Sequence, residues 1–306
     1  MWLFRKSLDI RRATVRPVAE PDLTATARLL RDGGRRYYAL AGGDLARLLA
    51  AGYGVALDAG EELWGAALVG WPADSRCWLR AVAHADGLDT RQTLEALLPP
   101  LHSHLAGLGL HTCYYASDEA ADPWLLPALR DYGYAPETEV VVYEKRDWEV
   151  PDGGNRRVRV RPATPVDMGE VLRLDQACFE AQWTKDAGVL GPAIDEGPFF
   201  VVADLDGAPV GYAYATSHFG GRLIHLVRIA VDPRVQGERV GVRLLAEVTR
   251  YAASQGADLI TLNTQAYNSH AQRLYRWFGF VRTGERQVVL RRDLLAPPEA
   301  PAETQG

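Results

Sequence analysis

Val231-Asp232-Pro233-Arg234-Val235-Gln236-Gly237-Glu238-Arg239-Val240-Gly241 carries an apolar strand into a helix through a glycine-containing turn. Such a turn aims backbone N–H groups, at the positive end of a helix dipole, into one small volume where an anion fits. Taken alone, Gly237 and Gly241 also describe an ordinary strand-to-helix turn, so the flanking sequence has to decide. Downstream, Val240, Leu244, Val248, Tyr251 and Ala252 recur at helical spacing and predict a helix from about Arg239 to Ser254. A strand over Leu259–Leu262, a helix over about Ser269–Phe278 and a closing strand near Gln287–Arg292 follow. Upstream, Phe199–Ala203 and Val210–Ala215 are β-rich runs joined by the hairpin signal Asp206-Gly207, and Gly220-Gly221 precedes the run Leu223–Val231. Earlier still, Thr164-Pro165-Val166-Asp167 supplies an N-cap, a first-turn proline and a capping-box acid. The order β-α-β-β-β-α-β-α-β predicts an α/β (α+β) fold, a mixed, mainly antiparallel sheet flanked by helices rather than a doubly wound parallel sheet.

The plan occurs twice. Val15-Arg16-Pro17 followed by Asp22 recurs as Val160-Arg161-Pro162 followed by Asp167, and Arg130-Asp131-Tyr132-Gly133-Tyr134 answers to Arg276-Trp277-Phe278-Gly279-Phe280 at nearly the same offset. Trp148 to Asn155, with its Pro, Gly and Asn content, reads as a linker. The expected organisation is therefore one domain over 1–150, a second over 156–294 and a flexible tail over 295–306.

Bulk composition narrows the function. With 306 residues, 47% hydrophobic and 24% charged, the chain has enough material for two globular cores. A net charge of -5 lacks the basic footprint of a phosphate-backbone binder, so nucleic acid is not an expected partner. Cys77, Cys113 and Cys178 are too far apart for a zinc cluster or a disulfide framework, and no metal is expected. The apolar start is too short for a signal peptide and no later segment reaches membrane-helix length, which predicts a cytoplasmic protein with no membrane partner.

The second landmark extends the first stretch. Asn268-Ser269-His270-Ala271-Gln272-Arg273-Leu274-Tyr275-Arg276-Trp277-Phe278-Gly279-Phe280 adds a polar N-cap, a tyrosine and a closing glycine. Here the chain resembles the GNAT superfamily of acyl-CoA-dependent N-acyltransferases. Gln236–Gly241 is similar to its [QR]-x-x-G-x-[GA] pyrophosphate loop, and the second segment to its N-x-x-A-x-x-x-Y-x-x-x-G-F block. The resemblance implies acetyl-CoA or another short acyl-CoA as donor, with Ile229 and Val231 offering backbone groups to the pantetheine and thioester. It also implies that Gln236, Gly237, Glu238, Arg239, Val240 and Gly241 hold the pyrophosphate, that Asn268 contacts the cofactor arm and that Tyr275 faces the sulfur. Arg239 departs from the pattern, standing where the loop usually has its first glycine; its cation could pair with a phosphate instead.

An attacking amine must be neutral, whereas alkylamines resemble lysine, with a pKa of about 10.4, and need something to take the proton. His225 lies four residues before Ile229, where family members often carry a carboxylate; a base and a histidine satisfied within the sheet are both open readings. Glu180 and Trp183 fall where the acceptor loop begins, with a capped turn and a core tryptophan as the plainer alternatives. Arg228 either contacts substrate or is solvated.

The first copy lacks these features. Asp89 to Leu94, which aligns with Gln236 to Gly241, has no glycine, and Leu129 and Asp122 replace Tyr275 and Asn268. The expected function is transfer of an acetyl or short acyl group to a primary amine of a small acceptor by direct attack, with a degenerate first copy. The alternative is a non-catalytic acyl-CoA sensor. Turnover with an amine panel separates the two, and the oligomeric state is not legible.

Overall fold

The arginine of each Val-Arg-Pro landmark is gripped by two aspartates. Arg16 donates from Nε to Asp58 at 2.6 Å and from Nη1 and Nη2 to Asp22 at 2.8 Å. Arg161 donates from Nε to Asp204 at 2.7 Å and from Nη1 and Nη2 to Asp167 at 2.8 and 2.7 Å. Asp22 and Asp167 also accept the backbone N–H groups of Ala19 and Thr164, both at 2.8 Å, so one knot closes the entry to the first helix in both copies. The Arg161 guanidinium holds the Asp167 carboxyl well below the usual carboxylate range. The duplication read from short landmarks is thus a duplication of structure.

The computed structural model describes residues 8–40 and 43–296. In chain order the elements are β1 (Thr14–Pro17), α1 (Leu23–Asp32), β2 (Arg35–Tyr38), α2 (Asp44–Ala50), β3 (Gly54–Asp58), β4 (Leu63–Ala73) and β5 (Arg76–His84). Next come α3 (Thr90–Gly107), β6 (Thr112–Ala116), α4 (Asp122–Asp131), β7 (Ala135–Lys145), β8 (Arg159–Pro162), α5 (Met168–Cys178) and α6 (Ala187–Asp195). The chain continues through β9 (Phe199–Leu205), β10 (Ala208–His218), β11 (Leu223–Val231), α7 (Val240–Ser254), β12 (Leu259–Gln265), α8 (Ser269–Trp277) and β13 (Val281–Asp293). The expected tail falls mostly on 297–306, outside the described residues.

Two units emerge, Met1–Glu137 with Val288–Gly306, and Thr138–Gln287. These are not the contiguous 1–150 and 156–294 expected from the sequence, because the closing strands are traded. In the second unit, Val140–Lys145 of β7 pairs antiparallel with Gln265–Ile260 of β12; in the first, Val289–Asp293 of β13 pairs antiparallel with Ala116–Thr112 of β6. The traded strands even carry matching basic residues. A Cβ on Gly279 would lie 2.7 Å from Lys145 Nζ, and one on Gly133 2.6 Å from Arg292 Nη1. Both glycines have positive φ, +92° and +79°, and end a helix in the left-handed conformation that glycine adopts most easily.

Each unit is a mixed, mainly antiparallel sheet with helices on both faces. The second runs β8-β9-β10-β11-β12-β7, parallel only between β11 and β12. Val240, Leu244 and Val248 of α7 pack with Phe278 and Tyr143 on one face, and Val171, Leu174 and Leu190 of α5 and α6 with Tyr212 on the other. The first repeats this order as β1-β3-β4-β5-β6-β13. The expected linker is not loose, since Trp148 and Val150 pack against the second unit's core. Among the described residues no helix is long and apolar enough to cross a membrane, and no group of three His, Cys, Asp or Glu is placed to hold a metal.

Candidate active site

β11 and β12 pair only from Leu223–Leu226 with Leu259–Leu262, then part. At the parting point the register of β11 against β10 slips, with Tyr214 opposite Arg228 but Ala215 opposite Leu226, so Val227 is the extra residue of a bulge. Beyond it, Asp232 N–H bonds to Val210 C=O at 2.8 Å. Because an antiparallel strand alternates its bonding direction, the N–H and C=O groups of Ile229 and Val231 therefore point away from β10, into the gap. The thiol of Cys178, at the end of α5, donates to the Val231 carbonyl at 3.2 Å. Burial pushes that thiol up to about 11, so at neutral pH it is a donor rather than a thiolate nucleophile.

The gap leads to the N-terminus of α7. Helices leave their first N–H groups without partners, and a Ser, Thr, Asp or Asn side chain usually satisfies one. Here the N-cap is Arg239, at φ +62°, and no side chain caps the helix. Among the described residues the N–H groups of Gly237, Val240, Gly241 and Val242 have no protein acceptor. Gly241 keeps the approach open: even its Cβ would already touch Leu274 at 3.4 Å and Val231 at 3.6 Å. These donors fit a diphosphate. Arg239, at a positive φ, fills a left-handed position where glycine is easier. Its guanidinium is already paired with Asp152 of the linker. Beside the loop lies a cavity of about 570 Å³, bounded by Asp152 and Gly154–Arg156 on one side and Gly237–Arg239 on the other.

On the opposite face of the sheet, Arg228 is neither solvated nor surface-exposed. It is 9% exposed and forms a bidentate pair with the fully buried Asp175 of α5, Nε to Oδ1 at 2.8 Å and Nη2 to Oδ2 at 2.9 Å. Nη2 also donates to the Trp183 carbonyl at 2.6 Å, and the guanidinium lies 3.6 Å from the centre of the Phe179 ring. The Tyr212 hydroxyl donates to the same Asp175 carboxylate. This network fixes the segment between α5 and α6. A second tie fixes its far side, for Trp183 Nε1–H donates to the Tyr267 hydroxyl at 3.2 Å and Tyr267 donates to Glu180 Oε2 at 3.0 Å. Glu180 and Trp183 thus meet a residue just past β12, and the segment straps the mouth of the gap. Tyr267 was not singled out in the sequence, because an aromatic in a loop has no periodic or spacing signal.

The remaining candidates lie on β11 and on α8 and its N-cap in the same unit. His225 Nδ1 bonds Thr261 Oγ1 of β12 at 2.9 Å, and burial, then His218, lowers its pKa to about 4. Neutral at pH 7, it is a weak base. Asn268 Oδ1 caps α8 by accepting Ala271 N–H at 3.1 Å, leaving its amide nitrogen as a donor. Tyr275 is 5% exposed, packed 6.0 Å from the Tyr143 ring and 6.1 Å from Phe280. Burial raises the pKa of its phenol, keeping the hydroxyl protonated.

The first unit has the same bulge, with Arg80 as the extra residue, and β5 leaves β6 after Trp78. There the gap is filled: β2 pairs antiparallel with Ala81–His84, on the edge matching that of Arg228–Val231. Its helix N-terminus is filled too, by Asp89, whose carboxylate accepts Gln92 N–H at 2.8 Å.

Among the described residues, the second unit combines a splayed strand pair, a bulge and an uncapped helix N-terminus, whereas in the first unit a strand and a capping aspartate occupy the matching places. Residues 168–280, within the second unit, match the acetyltransferase (GNAT) family, and the chain carries two copies of the fold of such proteins. It is 29% identical over 210 residues to an uncharacterized protein of Mycobacterium leprae (strain TN), covering 67% of this chain and 56% of that one. It is 26% identical over 140 residues to thialysine N-epsilon-acetyltransferase of Mus musculus, covering 40% of this chain and 82% of the relative. A tandem GNAT protein from the clavulanic acid biosynthesis pathway shares the fold, with TM-score 0.60, 15% identity, and 94% and 100% of the two chains covered.

Proposed function

We propose that the second unit is an N-acetyltransferase that moves an acetyl or short acyl group from acyl-CoA to a primary amine of a small molecule by direct attack. The observation that carries this is the uncapped start of α7 beside the free edge of β11: donors for a diphosphate and, in line with them, donors and acceptors for an amide-bearing arm. Acyl-CoA supplies the acyl group and leaves as the CoA thiol. Gln236–Gly241 hold its diphosphate, Ile229 and Val231 align its arm, and Asn268 contributes the amide nitrogen that its capping role leaves over. The Cys178 thiol gives up the Val231 carbonyl when the arm binds.

The acceptor enters under the strap, against Glu180 and Trp183, with Arg228 holding that strap closed. Glu180 is exposed at the mouth, where its carboxylate attracts a cationic amine before the proton is lost. The proton passes through water with neutral His225 in reach of the route, and Tyr275 holds a proton for the departing sulfur. The acceptor in the mouse relative's name, thialysine, is itself a small amine. Incubation with acetyl-CoA and an amine panel, followed by free-thiol release, tests the proposal. Tight acetyl-CoA binding with no thiol release under any amine would instead support a sensor.

A further inference from the structure

The linker before the second unit is built onto the mouth of the phosphate loop. Asp152 holds a turn by accepting Gly154 N–H on Oδ1 at 2.8 Å, and its Oδ2 takes the Arg239 guanidinium. Gly154, at φ +78°, lets the backbone press against α7, where a Cβ would lie 2.4 Å from the Arg243 nitrogen, and Asn155 N–H reaches the Arg239 carbonyl at 3.4 Å. A carboxylate is therefore already seated on the one cation of the loop, on the wall of the 570 Å³ cavity.

We propose that Asp152 is a tethered competitor for the cofactor's phosphates, setting acyl-CoA affinity by occupying Arg239 until a diphosphate displaces it. This rests on the acyl-CoA reading of the loop. Asp152 occupies the Nη2 end of the Arg239 guanidinium, so a phosphate binding that end must displace it or sit beside a like charge, and among the described residues Asp152 makes no bond to the free N–H groups of α7. A diphosphate gains those donors as well as Arg239, and so wins, but must first break the pair. Asp152 and Arg239 side chains are 31% and 52% exposed, so the pair is weak and the expected effect is modest. The substitution of arginine for the usual glycine and the acid in the linker then form one device.

CoA titrations by calorimetry on the full chain test this, with wild type, Asp152→Asn, Arg239→Gly and the double variant. Asparagine retains the acceptor for Gly154 N–H, and a thermal melt checks that each variant is folded. Asp152→Asn is expected to tighten CoA roughly 3–10-fold at low salt, less at high salt, and to lose most of this effect when Arg239 is glycine. Unchanged or weaker binding in Asp152→Asn, or an equal gain in both backgrounds, overturns the proposal and leaves the cofactor reading standing. Absence of CoA binding to wild type overturns both.

Discussion

Val231 and His84 hold the same place in the two units, each opposite a glycine of the neighbouring strand, Gly211 and Gly65, yet only Val231 faces an open edge. His84 lies opposite Arg35 of β2 on that edge, and its ring is held by the Ala85 carbonyl at 2.9 Å and the Thr90 hydroxyl at 3.0 Å. Degeneration of the first copy is therefore more than loss of loop glycines. Its own chain has taken the backbone groups a cofactor arm would use.

One acyl-CoA is accordingly expected per chain. Calorimetry on the intact protein should give a stoichiometry near one, and Gly241→Val, which crowds Leu274 and the free N–H groups, should weaken CoA at least about tenfold. Thr93→Val in the first unit costs only the hydroxyl bond to the Asp89 carbonyl, about 1 kcal/mol of stability, and should leave CoA affinity unchanged. Two equivalents of CoA would sink the assignment.

The sequence signals of the candidate site are local. The loop glycines, the Asn268 cap and the Tyr275 spacing are short-range patterns whose geometry follows from a helix start or a helix face. β2 and α6 were missed for opposite reasons. Arg35–Tyr38 is two arginines followed by two tyrosines, with no alternation to mark it, and Ala187–Asp195 contains Gly191 and Pro192, which argue against a helix until packing against α5 overrides them. The strand exchange was not legible, since β7 and β13 suit either sheet by pattern and only tertiary pairing assigns them.

That exchange sets which fragment folds. Residues 138–287 retain β7, whose Tyr143 hydroxyl bonds Gln272 at 3.1 Å and whose ring backs Tyr275. Residues 156–306 lack it and expose the edge of β12. Expressed separately, the first fragment should be soluble with a cooperative melt and should bind CoA, while the second should aggregate or melt without cooperativity. A well-folded, CoA-binding 156–306 would show that β7 is dispensable.

Arg228 is expected to matter through Asp175. Arg228→Met leaves a fully buried carboxylate without its cation, which should cost about 3–5 kcal/mol in chemical denaturation. Replacing both, Arg228→Met with Asp175→Leu, should recover part of that loss. If Arg228→Met alone proves nearly neutral, the pair is not the anchor of the strap.

His225 should leave its mark on stability below neutral pH. Its folded pKa is depressed to about 4 from the ordinary 6.5, so the unfolded chain binds the proton more readily. The stabilisation is fully present above about pH 6.5 and is lost as pH falls towards 4, by at most about 1.4 kcal/mol per pH unit. His225→Gln should flatten that slope. Any activity limb belonging to His225 should likewise lie near pH 4, below the ordinary imidazole range; a His225-dependent limb at pH 6–7 would contradict the buried, neutral ring.

Tyr275 provides the sharpest test of chemistry. Its ring closes the core between Tyr143 and Phe280, and among the described residues its hydroxyl bonds to no protein group. Burial also raises its pKa above the ordinary 10, so it stays protonated wherever the enzyme works and can give its proton to a departing sulfur whose conjugate acid has a pKa near about 8.5. Leu129, the matching residue of the first unit, is fully buried without any hydroxyl, which shows that packing alone does not require one. Tyr275→Phe keeps the ring and should leave thermal stability unchanged or slightly higher. If the hydroxyl is the acid, single-turnover rates should fall about 10²-fold with CoA affinity preserved. A phenylalanine variant that matches wild type in that assay would reduce Tyr275 to a wall.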